Sequence, residues 1–101
     1  MPSDDDFAGL TAIGWGDALL ASADGDHDAA LAAADAAWAH MAPTDYLCFQ
    51  AKTHTIRGEV LTAAGRTEEA AAAFIESIAL YERKGSVADV RGLRERHPEL
   101  G

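Results

Sequence analysis

Three glycines constrain this chain more than any other feature. Gly25, Gly65 and Gly85 each follow an apolar run of helical periodicity, and each is followed at once by residues suited to start another helix. A residue just past a helix end adopts positive φ, which glycine reaches without steric cost. Asp26 after Gly25 is a natural N-cap, with Asp28 in the next first turn. Thr67 is placed to cap after Gly65, with Glu68 and Glu69 behind it. Ser86 after Gly85 has Asp89 three residues on, the spacing of a capping box. A fourth break falls at "MAPTD", where Pro43 disfavours helix at Ala42 and Thr44 or Asp45 can cap. Four breaks within 101 residues leave room only for short helices joined by tight turns. Ala, the strongest helix former, dominates, and strand-favouring residues are sparse. The expectation is one small all-α domain.

Apolar spacing then places the helices. The first begins near Phe7 and runs to Ala23, with Ala8, Ala12, Trp15 and Leu19 on one side and Ile13 and Leu20 alongside. The second ends near His40 or Met41, on a stripe of Leu31, Ala34, Trp38 and Met41. The third covers about Asp45 to Ala64. Tyr46, Phe49, Ile56 and Val60 mark one apolar line, and Leu47, Ala51, Gly58 and Leu61 another. The fourth has Ala70, Phe74, Ile78 and Tyr81, flanked by Ile75 and Leu80. Arg83 and Lys84 suit its negative end. Val87, Val90 and Leu93 mark a short fifth helix that Pro98 ends. Residues 1–6 read as a flexible acidic lead-in, 7–97 as the domain and 98–101 as a tail.

The net charge is −9, which disfavours nucleic acid as a partner, since that ligand selects a basic face. Every Lys and Arg lies at Lys52 or later, and Asp alone supplies the charge before it. An acidic half serves solubility first, and it also attracts a basic partner. No run is long and apolar enough for a membrane span, and "MPSDDDF" is no export signal. The expected compartment is the cytoplasm. Cys48 is the single cysteine. Among the apolar neighbours of "DYLCFQA" it reads as a buried, inert thiol.

Two stretches of the chain are alike. "ALLASADGDHDAALAAADAAWAHMAP" and "EVLTAAGRTEEAAAAFIESIALYERKG" each comprise a helix, a Gly-led turn, an acidic first turn and an Ala-rich second helix. Gly65 lies 40 residues after Gly25, Ala70 after Ala30, and Phe74 after Ala34. Self-similarity at such a period marks helical-repeat architectures. In the second unit Gly58, Leu61, Gly65, Ala70 and Phe74 stand at the relative spacing of the tetratricopeptide repeat, which this chain resembles. The style of "LTAAGRTEEAAAAF…ALYERKGS" is also similar to the C-terminal helical repeats of actinobacterial ATPase-type transcriptional regulators. The chain departs from the tetratricopeptide pattern at His54, Arg57 and Asp17, and its period exceeds the usual ~34 residues.

The resemblance implies two antiparallel helix-turn-helix repeats with a C-terminal capping helix. It also implies protein or peptide binding on the groove built by the first helix of each repeat. Carried over by position, that groove holds Trp15, Leu19 and Ser22 in the first unit, and Lys52, Thr55, Glu59 and Thr62 in the second. Thr55 and Glu59 do not form the basic, amide-rich clamp that grips a peptide's terminal carboxylate. For Trp15 and Leu19, core packing is the simpler reading. Two repeats fall short of the three or more usual for a stable solenoid, so stacking of copies through Trp15, Trp38 or Tyr81 is a further expectation. So is origin as the tail of a longer regulator.

Signals of chemistry are weak by comparison. "SADGDHDAAL" offers Asp24, Asp26 and Asp28 at positions 1, 3 and 5 of a calcium loop, but Ala29 stands where Gly is wanted and Asp35 where a bidentate Glu is wanted. His27, His40, His54 and His97 show no metal-ligand spacing. No nucleophile motif or phosphate loop is present. The reading is a non-enzymatic interaction module without cofactor or metal. The alternative is a small helical enzyme or ligand-binding bundle, with Trp15, Trp38, Tyr46, Cys48 and His54 lining a pocket.

Overall fold

The computed structural model describes residues 4–41 and 46–98, with side chains from residue 14 onward. Five helices occupy almost all of this: α1 Asp4–Ala23, α2 His27–Met41, α3 Leu47–Ala63, α4 Thr67–Lys84 and α5 Val87–Arg96. No strand occurs among the described residues, and the all-α expectation holds. Of the expected lead-in, residues 4–6 form the first turn of α1. Residues 1–3, the caps proposed at Thr44 and Asp45, and the tail from 99 lie outside the described residues.

The three glycine turns share one motif. Gly25, Gly65 and Gly85 have φ of 82°, 79° and 83°. The N–H groups of Asp26, Arg66 and Ser86 reach back to the carbonyls of Ala21, Leu61 and Tyr81, each at 2.9 Å. Each glycine N–H donates to the carbonyl three residues before it, at 3.0–3.1 Å. These are Schellman closures, and the residue after each glycine directly precedes or begins the next helix.

Only the first turn adds the expected cap. Asp26 Oδ1 accepts the Ala29 N–H at 3.2 Å. Thr67 is the first residue of α4, so Arg66 takes the N-cap position and makes no side-chain cap bond. Ser86 is at the N-cap of α5 but also makes none, with ψ at 77°. The closure fixes the backbone of the post-glycine residue, and a Ser hydroxyl, one bond shorter than an Asp carboxylate, does not reach. Asp26→Ala is therefore expected to lower stability by about 1 kcal/mol. Ser86→Ala should change it by less than about 0.5 kcal/mol. Urea midpoints compare the two.

Sequential helices pack as neighbours: α1 with α2, α3 with α4, and α4 with α5. α3 also meets α1 and α2, so it is enclosed on most sides. Its buried set includes the unbroken run Thr53, His54, Thr55 and Ile56, which no single amphipathic stripe would give. The stack measures 42 × 34 × 18 Å, with α5 at the end away from α1.

Small residues set the approach of each pair. A Cβ on Gly14 would meet Ala37 Cβ at 3.3 Å, and one on Gly58 would stand 2.6 Å from Phe74 Cε1. Buried positions recur at the 40-residue offset. Ala30, Ala34, Ala37 and Met41 of α2 are buried, and so are Ala70, Phe74, Ser77 and Tyr81 of α4.

The stripe expected on α1 is shifted. Ala18 is fully buried, while Leu19 and Leu20 are 41% and 68% exposed. Apolar residues of α1 are spread around the axis beside Asp17, so periodicity does not select its inner face; the contact at Gly14 does. Tyr46, Ile75 and Val87 are likewise exposed.

Candidate interaction surface

The groove residues divide by what α3 must bury. Trp15 is half-buried, and its indole N–H donates to Thr53 Oγ1 at 2.8 Å. Thr53 in turn donates to the Phe49 carbonyl at 2.8 Å, and the Trp15 and Phe49 rings lie 5.9 Å apart. This cluster fastens α1 to α3. Leu19 beside it is exposed and Ser22 half-buried. Lys52 is exposed, and Glu59, two turns on along the same side of α3, is half-buried. Glu59 Oε1 lies 3.9 Å from Arg96 Nη1 of α5. Thr62 is exposed, with its hydroxyl donating to the Gly58 carbonyl.

Thr55 does not belong to this surface. It is 3% exposed, its Oγ1 lies 2.6 Å from Ser77 Oγ, and both hydroxyls reach the Ala51 carbonyl at 3.1 and 2.7 Å. This polar seam satisfies hydroxyls buried where α3 meets α4. Sequence reasoning missed Ser77, because the burial of both Thr53 and Thr55 that marks α3 as enclosed is a tertiary fact. Threonines two residues apart point about 200° from each other, so both are buried only in an enclosed helix.

Cys48 also departs from expectation, because its thiol is exposed. It lies four residues before Lys52, on the same solvent-facing line of α3, although its sequence neighbours are apolar.

His54 is buried on the opposite flank, its ring 4.1 Å from that of Trp38. Arg57 Nη1 is 3.4 Å from His54 Nδ1, while Arg57 Nε donates to Asp35 Oδ1 at 3.1 Å, tying α3 to α2. An open hollow of about 240 Å³ beside His54 is lined by Arg57, Glu69 and Glu76 among others. Desolvation lowers the His54 pKa from 6.5, Arg57 lowers it further, and Glu76 opposes them. Of the five residues grouped in the alternative reading, Trp38 and His54 come together. Trp15 sits on the α1 side, Tyr46 packs edge-on to Phe49 at 6.0 Å, and Cys48 faces outward.

The His54 shift has a defined sign. Well above pH 6.5 the imidazole is neutral in both states. As pH falls below that value the unfolded chain takes up the proton first, so stability declines until the folded pKa is passed. Between about pH 7.5 and about pH 5.5 the wild type should lose more stability than His54→Gln, measured by urea denaturation. Parallel pH dependence of the two would refute the assignment.

Asp24, Asp26 and Asp28 are exposed, and Asp26 is committed to its cap. Among the described residues no three His, Cys, Asp or Glu side chains are grouped to hold a metal ion. No helix among them is long and apolar enough to cross a membrane. No known family model, curated protein or solved structure matches this chain.

Proposed function

We propose that this chain is a TPR-like interaction module: two helical hairpins and a capping helix that bind a protein or peptide along the surface shared by α1 and α3. The observation that carries the reading is the side-by-side fastening of α1 and α3 through Trp15 and Thr53. These are the first helices of successive hairpins. Leu19 and Lys52 are left exposed on them, with Glu59 half-exposed. The 40-residue recurrence of buried positions supports two like units. An apolar residue flanked by one cation and one anion suits a short amphipathic segment better than a highly charged ligand. Binding would proceed by shape and side-chain complementarity, with no covalent step.

The test is site-specific photo-crosslinking in the native cell. A photoreactive residue at Lys52 or Leu19 should yield a discrete protein adduct. The same residue at Glu68, exposed at the start of α4, should not. Equal labelling at both places, or none at either, would remove the proposal.

A further inference from the structure

The two ends of the stack carry exposed lines of opposite charge, each with one apolar residue. At one end Asp17, Leu20 and Asp24 follow at i, i+3 and i+7, so they share one line along α1 and its closing turn. All three are exposed, and Leu20 is 68% exposed. Its three residues lie about 100–160° around α1 from the fully buried Ala18, on the side of the helix turned to solvent. At the other end Val87, Arg91 and Arg94 follow at i, i+4 and i+7 on α5. Val87 is 66% exposed and both arginines are exposed. Hollows of about 280 and 370 Å³ flank this second stripe, and Val87, Val90 and Arg94 line both.

The charges on the two stripes are largely unspent. Among the described residues Asp17, Asp24 and Arg91 have no ion pair, and Arg94 makes only a solvent-exposed pair with Glu82 at 3.3 Å. The wider distribution has the same polarity. Residues 1–51 hold nine Asp and no Lys or Arg, whereas residues 52–101 hold eight acidic and eight basic residues. The whole net charge of −9 therefore belongs to the half of the chain that includes α1.

We infer that the partner of the α5 stripe is the α1 stripe of a second copy of this chain, joined head to tail. An Asp–Leu–Asp line laid antiparallel to a Val–Arg–Arg line with Leu20 on Val87 sets the Asp17 carboxylate opposite the Arg91 guanidinium. Like meets like in neither direction: two α1 ends repel, and two α5 ends bring arginines together. The contact is therefore heterologous, and each added copy presents a further stripe until the assembly closes on itself as a ring. It also supplies the further layers that a two-hairpin stack lacks. This inference rests on the hairpin-stack reading above but not on the α1–α3 groove.

Sedimentation velocity tests it. At low salt the mean mass should rise with protein concentration to about 0.5 mM without stopping at a dimer. Raising NaCl from about 50 mM to about 500 mM should reverse the rise. Val87→Ser/Arg91→Ala blocks the α5 stripe and Asp17→Asn/Leu20→Ser blocks the α1 stripe. Each variant alone should be monomeric, while an equal mixture should give a 1:1 dimer and nothing larger. All four positions are exposed, so unchanged helical circular dichroism is expected. Arg91→Glu alone is a second variant of the α5 stripe and should lose the association too. A monomeric wild type, a mass that stops at twice the monomer, salt-independence, or a mixture that stays monomeric while both variants remain helical would each overturn the inference. Groove crosslinking at Lys52 in a monomeric chain would leave the interaction-module reading standing without it.

Discussion

Phe74→Ala is expected to destabilise the protein by about 3–5 kcal/mol. The ring is 3% exposed, seats directly over Gly58, and stacks on His97 at 3.9 Å. Its removal opens a cavity between α3 and α4 that neighbouring side chains fill only in part, and it strips α5 of the contact at its far end. Against a total stability of about 5–15 kcal/mol, that loss is severe. Gly58 supplies the control. In the wild type, Gly58→Ala forces a methyl to within 2.6 Å of the Phe74 ring. Overpacking of this kind costs about 1–3 kcal/mol, opposed by a helix-propensity gain of up to about 1 kcal/mol. In the Phe74→Ala background the clash is gone and the propensity gain remains, so Gly58→Ala should become stabilising. A double-mutant cycle by urea denaturation reads the change of sign. If Gly58→Ala stabilises both backgrounds equally, Phe74 does not pack on Gly58.

Leu93→Ala is expected to cost about 2–5 kcal/mol, and the loss should be regional. Leu93 is 1% exposed, and with Val90 it forms the buried side of α5. It joins the cluster that holds Phe74, Ile78 and Tyr81. α5 has only ten residues, too few to persist as an isolated helix, so it depends on this docking. Amide hydrogen exchange should therefore accelerate across Val87–Arg96 at denaturant concentrations where α3 stays protected. Uniform acceleration through α1 to α5 would instead make α5 part of a single cooperative unit. If α5 undocks, the Val87–Arg91–Arg94 line is lost, so Leu93→Ala should also abolish head-to-tail association.

Much of the fold was legible because its signals are local. Gly25, Gly65 and Gly85 sit where only positive φ closes the preceding helix, and they placed three of the four links. The α4 stripe of Ala70, Phe74, Ile78 and Tyr81 was legible because α4 has polar residues on its other side, so period and burial agree. α1 offered no such contrast. Its apolar residues surround the axis, and Leu19 and Leu20 proved exposed while Ala18 is buried. The Ser86 cap failed for a related reason. The residue pattern of a capping box was present, but from the backbone that the closure at Gly85 sets, the Ser86 hydroxyl does not reach as the Asp26 carboxylate does at Gly25.

The proposed groove was legible only in part. Lys52, Glu59 and Thr62 keep solvent contact, while Thr55, next to them in pattern, is drawn into the seam with Ser77. Cys48 was misjudged from its apolar neighbours, since adjacent residues on a helix point about 100° apart. The sequence by itself determined the helices, their glycine closures, the 40-residue likeness of two segments and the polarity of charge along the chain. Each of these depends on backbone conformation or on residue identity, which neighbours in sequence control. The tertiary structure alone decided that α3 is enclosed, which side of α1 is inside, and that Trp15 meets Thr53. Those outcomes depend on how close two helices approach, and the small residues at Gly14 and Gly58 set that distance only once their partners, Ala37 and Phe74, are in place.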